Sequence, residues 1–400
     1  MLDKYTIPTL EKIKTPYYFY DMELLNTTLD KIVELSLKYN ISVHYAIKAN
    51  ANEYLLCKIS ERGIGADCVS GNEVIQAVKC GFCPSKIVFA GVGKSDKEIY
   101  DALKLGVASF NSESLEEIEL LNKYAGILGL KANISLRINP NIDAHTHKYV
   151  TTGLEENKFG IAEHEFLASI KLIKSCENIN FIGLHFHVGS QITDVEEVFT
   201  EQAKRVGDIV NWFEENGLEI ENINFGGGLG VNYQDPDSEP IADFETWFST
   251  IKSNIDLKDH QKLHVEPGRS VIAQCGYMIS TALFVKNGVK KDFLILDAGM
   301  NDLIRPALYD SYHKIENLSA SSDSSSVKAY DVVGPVCESS DVWGTDRELP
   351  LSKRGDTIAF RTAGAYGQVM ASAYNLKEFA PSVYSDRLDE AELKVDYFKE

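Results

Sequence analysis

The sequence predicts an α/β chain with an added β region: a (β/α)₈ TIM-like barrel over residues 26–267, and a β-rich domain from 1–25 and 268–400. Two observations predict the barrel. Eight short β-branched runs alternate with helix-like segments, and the C-terminal ends of those runs carry a ring of polar residues where such barrels place reactive groups. A third predicts the β domain: beyond Glu266 the runs VIAQCGYMISTALFVKNG, FLILDAG, KAYDVVGP and DTIAFRTAG follow with no long helix between most of them.

The chain in order supports this division. An amphipathic helix with Leu25, Leu29, Ile32 and Val33 on one face leads into runs at 43–47, 65–69, 86–90, 107–110, 133–138, 181–187, 222–225 and 263–266. Helix-like segments lie between them at 71–79, 95–105, 112–124, 163–174 and 195–215, with Ser95 as an N-cap. Tyr17 to Tyr20 form a strand-like piece that precedes the barrel and belongs with the β domain. The stretch SASSDSSS at 319–326 is a polar surface loop by composition.

Composition sets the outer limits. Lysine and arginine total 40 against 59 acidic residues, a net charge of −19, which argues against nucleic acid or an anionic membrane as partner. No apolar run approaches the roughly 20 residues of a membrane span, and the opening MLDKYTIPTLEKIKTP lacks a signal-peptide layout. A cytoplasmic location is the expectation. The cysteines, 7 in number and scattered, read as free thiols in a reducing compartment.

Lys48 stands out. It follows Val43, Tyr45 and Ile47 at alternating positions, so it reads as the last residue of a buried strand, where an ammonium is costly to hold unless it is used. A lysine in such surroundings can condense with an aldehyde or ketone. A lysine merely capping a strand end gives the same local pattern, so the rest of the ring decides between the two.

That ring contains Lys48, Asp67, Ser70, Asn111, Arg137, Asn139, His185, His187, glycines 226–228 and Glu266. The run Gly226-Gly227-Gly228-Leu229-Gly230 follows the seventh strand, where barrels commonly bind phosphate, and Ser190 adds a hydroxyl. Glu266 ends the eighth strand, neighbour to the first in a closed barrel, and a carboxylate there can keep a heterocyclic nitrogen protonated. A lysine for an aldehyde, glycines for a phosphate and an acid for a ring nitrogen together call for pyridoxal 5′-phosphate (PLP).

Other motifs fail on spacing. Gly93-Lys94-Ser95 resembles the end of a P-loop, but Val88 stands where the first glycine belongs. His164-Glu165 begins a zinc-protease pattern, but Ala168 replaces the second histidine. Cys80-Gly81-Phe82-Cys83 has no second ligand pair. His185 and His187, even with His145 and His147, lack a completing carboxylate or cysteine cluster, so no metal is expected.

The motifs YAIKANAN, GADCVSGNE, DAHTHKYVTTGLEENKFG, HFHVGSQ, FGGGLG, EPGR, LDAGMNDLIRPALYDSYHK, GPVCESSD and GAYGQVMASAYN run in order from about Thr15 to Asn375. They resemble the diaminopimelate decarboxylase family of alanine racemase-like, fold type III PLP enzymes. The resemblance implies a PLP barrel with a β domain, in a homodimer with shared active sites. It makes Lys48 the Schiff-base lysine and His187 the ring stacked on the cofactor. Ser190, Gly227, Gly228 and Tyr366 would hold the phosphate, with Gly268 and Arg269 beside the cofactor, and Glu266 would meet the ring nitrogen. Arg269, Arg305 and Tyr309, with Tyr366 nearby, would grip the substrate's distal carboxylate. Glu338 would take its distal amine, and Cys337 of the other subunit would supply a proton.

Two features depart from the family pattern: Asn72 replaces a second glycine, and APSVYSDRL lacks an Arg-Pro-rich segment. The implied activity is decarboxylation of meso-2,6-diaminopimelate to L-lysine in lysine biosynthesis. The alternatives are a decarboxylase of ornithine, arginine or carboxynorspermidine, a racemase of the same fold, and a non-catalytic PLP-binding protein. A cofactor-free aldolase also starts from a barrel lysine but has no use for the glycine run or Glu266.

Overall fold

The computed structural model describes residues 6–140, 158–320 and 326–395. It divides into two compact units: a barrel unit of Thr28–Gly230 with Ala242–Val271, and a β unit of Met1–Thr27, Val231–Ile241 and Ile272–Glu400. A short helix α1 (Ile7–Leu10) and strand β1 (Tyr17–Tyr20) precede helix α2 (Met22–Tyr39), which leads into the barrel.

The barrel strands are β2 (Ile41–Ala46), β3 (Gly65–Cys68), β4 (Ile87–Phe89), β5 (Ser109–Ser112), β6 (Ala132–Arg137), β7 (Ile179–His185), β8 (Asn222–Asn224) and β9 (Lys262–Val265). Among the described residues they form one closed parallel barrel, β9 returning to β2 with Ile41 opposite Leu263 and Val43 opposite Val265. The intervening helices are α3 (Glu53–Ser60), α4 (Gly71–Lys79), α5 (Asp96–Leu105), α6 (Leu115–Leu128), α7 (Phe166–Ser175), α8 (Val195–Glu215) and α9 (Phe244–Ser253).

Local chemistry sets the helix limits. Asn52, Ser70, Ser95, Ser114 and Asp243 each accept a backbone N–H at the first turn of their helix, and Ser95 with Glu98 completes a capping box. Helices α5 and α6 stop at Gly106 and Gly129, whose φ values of 72° and 64° suit residues without a Cβ. Along α8, Val198, Phe199, Gln202, Ala203, Val206, Ile209, Val210 and Phe213 are buried at helical spacing. Gln202 uses this buried face to donate to the Phe225 carbonyl at 3.0 Å, fixing the chain just before the glycine run.

Three sequence expectations need correction. Lys48 is not the end of a strand: β2 stops at Ala46, and Ile47–Ala49 form a 3₁₀ turn. The Ala46 N–H still reaches the Pro267 carbonyl at 3.1 Å, but beyond it the chain turns on itself, the Asn50 N–H donating to the Ile47 carbonyl at 3.0 Å. Helix α6 begins at Leu115, because Ser112 is still paired in β5 and Ser114 makes the cap. The segment from 163 opens as a 3₁₀ turn, Glu163–Glu165, before α7.

The barrel interior is unusually polar for a fold whose inner layers favour branched aliphatics. Ser109 and Ser135 hydroxyls lie 3.3 Å apart, and His44 Nε2 meets His264 Nδ1 at 3.0 Å. Burial pushes both imidazoles toward the neutral form, His264 to about 3. Below them the N-terminal end of the barrel opens into a cavity of about 820 Å³ bordered by Asn133, Asn222 and Lys262.

The β unit follows helix α10 (Arg269–Ile272). Its strands are β10 (Gly276–Asn287), β11 (Asp292–Leu296), β12 (Ile315–Asn317), β13 (Val327–Val333), β14 (Val342–Pro350), β15 (Thr357–Phe360) and β16 (Ser382–Tyr384), with a short helix α11 (Arg305–Tyr309) after β11. The sheet order is β12-β15-β10-β11-β13-β14. Strand β1 joins it as the sequence suggested, antiparallel to β10 and parallel to β16. Strand β14 was not foreseen: its VWGTDRELP carries a positive φ of 50° at Asp346, and its pairing with β13 shifts register twice, which breaks the alternation that marks a strand. Leu10, Ile13, Tyr17, Phe19, Tyr277 and Ile279 form one core of this unit. The loop predicted at 319–326 falls mostly outside the described residues.

Candidate active site

In the barrel unit, Lys48 Nζ lies 3.4 Å from Asp67 Oδ2 at the end of β3. Asp67 is almost fully buried and its other oxygen, Oδ1, has no hydrogen-bond partner. Burial, and the nearby Glu266 charge, raise its pKa to about 6 against the opposing pull of Lys48. Beside it, burial lifts the Glu73 carboxyl to about 7, although Glu73 accepts the Val69 N–H at 2.7 Å.

Glu266, just past β9, is the opposite case. Burial disfavours its charge, yet His185 Nε2 sits 2.9 Å from Oε2, and the ring and Lys48 hold the carboxyl well below the usual range. Asn224 Nδ2 donates to Oε1 at 2.7 Å and Asn111 Nδ2 at 3.4 Å. Three strands thus supply donors to one buried carboxylate, which stays ionised. The sequence had placed Asn111 and His185 in the polar ring without a task; Asn224 was missed, although it lies two residues before Gly226.

The glycine run forms a close-packed cradle. A Cβ on Gly226 would come 2.3 Å from the Phe186 carbonyl oxygen, and one on Gly227 2.3 Å from that of Glu266. Gly228 has φ +127°, a backbone conformation that side chains rarely allow. Gly227 N–H donates to His187 Nδ1 at 3.2 Å, so this ring is anchored by the cradle, and burial drives its pKa well down, keeping it neutral. Ser190 Oγ accepts from Arg269 Nη2 at 3.0 Å and Nε at 3.3 Å. A Cβ on Gly268 would meet Ala46 and Ala49 at 3.1 Å, which places Gly268 against the turn that carries Lys48.

Arg137 of the polar ring is engaged elsewhere: its Nη1 pairs with Glu113 Oε1 at 2.9 Å, and Glu113 also accepts the N–H groups of Gly91 and Gly160. Lys94, from the rejected P-loop pattern, is buried against Glu117 at 2.7 Å. Asn72 is exposed in the first turn of α4, so the departure from glycine is accommodated by ordinary helix. His145 and His147 lie outside the described residues.

The remaining candidates are in the β unit. Arg305 begins α11 and is buried, with Tyr309 at the end of the same helix. Tyr366 is half-buried with a positive φ of 54°. Cys337 and Glu338 are exposed after β13; the Cys337 N–H donates to Asn375 Oδ1 at 2.9 Å, and Tyr374 OH lies 3.4 Å from Glu338 Oε2.

These features suit PLP. The glycine cradle leaves no room for side chains where backbone N–H groups must approach a phosphate, Lys48 offers an amine, and Glu266 offers a held negative charge. The barrel and its site thus define a PLP-dependent enzyme. Residues 27–273 match the family model for the pyridoxal-dependent decarboxylase, pyridoxal binding domain, and the chain belongs to that family.

Relatives agree over nearly the whole length. The chain is 49% identical over 385 residues to diaminopimelate decarboxylase of Bacteroides thetaiotaomicron, covering 96% of this chain and 99% of that one. The crystal structure of diaminopimelate decarboxylase from Helicobacter pylori complexed with L-lysine is similar with a TM-score of 0.85 at 38% identity, over 96% of this chain and 95% of that one. The enzyme from M. jannaschii in co-complex with L-lysine gives 0.86 at 33% identity, over 97% and 92%. Among the described residues no helix is long and apolar enough to cross a membrane.

Proposed function

We propose that this enzyme decarboxylates meso-2,6-diaminopimelate to L-lysine and CO₂. The observation that carries this reading is the 49% identity with a diaminopimelate decarboxylase across 99% of that protein's length. An arginine decarboxylase at 22% identity shares the fold, with a TM-score of 0.80, and says nothing about substrate.

PLP, when bound, supplies an aldehyde that condenses with amines and a ring that takes up the electron pair left by departing CO₂. In this reading Lys48 presents its amine to the aldehyde. Gly227, Gly228, Ser190 and Tyr366 hold the phosphate, and His187, neutral and anchored on Gly227, covers the ring face. Glu266 keeps a proton on the ring nitrogen, for which a carboxylate that resists protonation is the right partner. Gly268 lets the backbone pass close to the Lys48 turn, and Arg269 bridges the phosphate hydroxyl Ser190 and the substrate side.

Arg305 and Tyr309 receive the distal carboxylate, and Glu338 receives the distal ammonium. Both are needed, because leaving either charge unpaired in a dry pocket costs several kcal/mol, roughly 1–3 for each neutral group and more for a charged one. Cys337 of the partner subunit returns a proton to the α-carbon, so the functional unit is a homodimer, working in the cytoplasm. Exposure of Cys337 and Glu338 in the single chain supports a role at a subunit boundary. The test is CO₂ release from meso-diaminopimelate compared with ornithine and arginine; equal or faster turnover of ornithine or arginine would overturn the substrate assignment.

A further inference from the structure

After the glycine run, residues Val231–Ile241 leave the barrel unit and cluster with the β unit. Two side chains of this excursion meet arginines there. Tyr233 places its ring under Arg305, with the guanidinium carbon 4.8 Å from the ring centroid. Asp237 pairs with Arg361 Nη2 at 2.7 Å, and Glu316 takes Nη1 of the same arginine at 3.1 Å.

Between the two arginines lies His313, 1% exposed. Its Nδ1 is 2.9 Å from the Arg361 carbonyl oxygen, and its Nε2 is 2.9 Å from Arg305 Nη1. A carbonyl can only accept, so Nδ1 carries the hydrogen. A guanidinium can only donate, so Nε2 carries the lone pair. The neighbours therefore fix both the tautomer and the neutral state: a second proton would set N–H against N–H and cation against cation. The His313 ring also stands edge-on to Tyr233, with centroids 5.3 Å apart at 84°. Arg305, itself 5% exposed, is thus held on one face by an aromatic ring and at one end by an imidazole lone pair.

We propose that His313 and Tyr233 are positioning residues that aim the Arg305 guanidinium at the substrate's distal carboxylate, His313 acting as a neutral acceptor; this rests on the reading of Arg305 given under Proposed function. Arginine recognises a carboxylate through a planar fork, so a guanidinium free to rotate loses much of its discrimination. An acceptor on one nitrogen and a ring under the plane remove the two rotations that matter. The carboxylate-binding arginine is therefore built by a pair 72 and 8 residues away in sequence, one of them on the segment that continues from the glycine run.

The experiment uses the PLP-loaded enzyme. His313→Asn keeps a donor for the Arg361 carbonyl but removes the acceptor facing Arg305, whereas His313→Gln reaches far enough to restore that acceptor. His313→Asn should raise KM for meso-diaminopimelate about tenfold with kcat within about twofold, and His313→Gln should recover most of the loss. Tyr233→Leu, which retains bulk, should raise KM about fivefold. In an Arg305→Ala background the His313→Asn increase should vanish, since the residue it acts through is gone. Wild-type turnover of diaminopimelate with KM unchanged in both His313→Asn and Tyr233→Leu would overturn this inference alone, as would an undiminished effect in the Arg305→Ala background. A wild type that does not turn over diaminopimelate would overturn the substrate reading, and this inference with it.

Discussion

Asn224 Nδ2 lies 2.7 Å from Glu266 Oε1, the end of β8 and the residue just past β9 contributing the two halves of one hydrogen bond inside a buried site. The bond matters because a carboxylate so placed would otherwise take up a proton. With His185 on its other oxygen, Glu266 instead stays charged across the working pH range.

Replacing Asn224 should reveal this dependence. Asn224→Ala is expected to weaken PLP binding about tenfold, the loss of one hydrogen bond to a charged group. Asn224→Asp, nearly the same size, should be worse by a further factor of about ten, because two carboxylates at that separation cannot both ionise. Spectrophotometric titration of the apoprotein with PLP measures both.

Lys48→Ala should purify colourless or bind PLP without the visible absorbance of a lysine-linked cofactor, and lose activity by about a thousandfold or more. Borohydride reduction of the wild type followed by peptide mapping should place the cofactor mass on the peptide containing Lys48. Mass on another lysine would remove Lys48 from the site.

If Cys337 acts across a subunit boundary, Lys48→Ala and Cys337→Ala should complement. Each homodimer is expected to be nearly inactive, while random mixing should restore about a quarter of wild-type activity, since half the dimers then carry one intact site. No recovery after mixing would mean that each site is built within one chain.

Glu73 gives a prediction about stability. Burial raises its folded pKa to about 7 from the ordinary glutamate value of 4.5. Between those values the unfolded chain has lost the proton that the folded chain keeps, so the contribution of this group to stability is fully present below 4.5 and falls as pH rises through 7. Glu73→Gln removes the ionisation while keeping an acceptor for Val69 N–H. It should leave the apoprotein's stability nearly unchanged at pH ~4.5 and raise it by about 1–3 kcal/mol at pH ~8. Urea unfolding at the two pH values decides; an equal effect at both would contradict the assigned shift.

Much of the barrel was legible because its signals are local. The start of α5 is written in the Ser95 N-cap, and the alternation of strand and helix patterns repeats often enough to be counted. Strand β14 was hidden because its pairing is set by bulges and a partner strand rather than by its own periodicity. The end of β2 was misplaced because the apolar alternation of Val43 and Tyr45 runs on to Ile47, which already begins the 3₁₀ turn closed by the Asn50 N–H on the Ile47 carbonyl.

For the site, the sequence by itself determined residue types and order: a lysine after the first strand, glycines after the seventh, an acid after the eighth, and an arginine beyond. Only the tertiary structure decided how they are held. Whether an inward-facing side chain meets Glu266 depends on strand stagger and barrel closure, which no single strand encodes. That is why Asn111, His185 and Asn224 converge there without a sequence signal. The same holds for Arg305, whose Tyr233 partner is brought from a distant segment by a chain excursion that composition does not mark, while His313, eight residues on, meets it only through the folded chain.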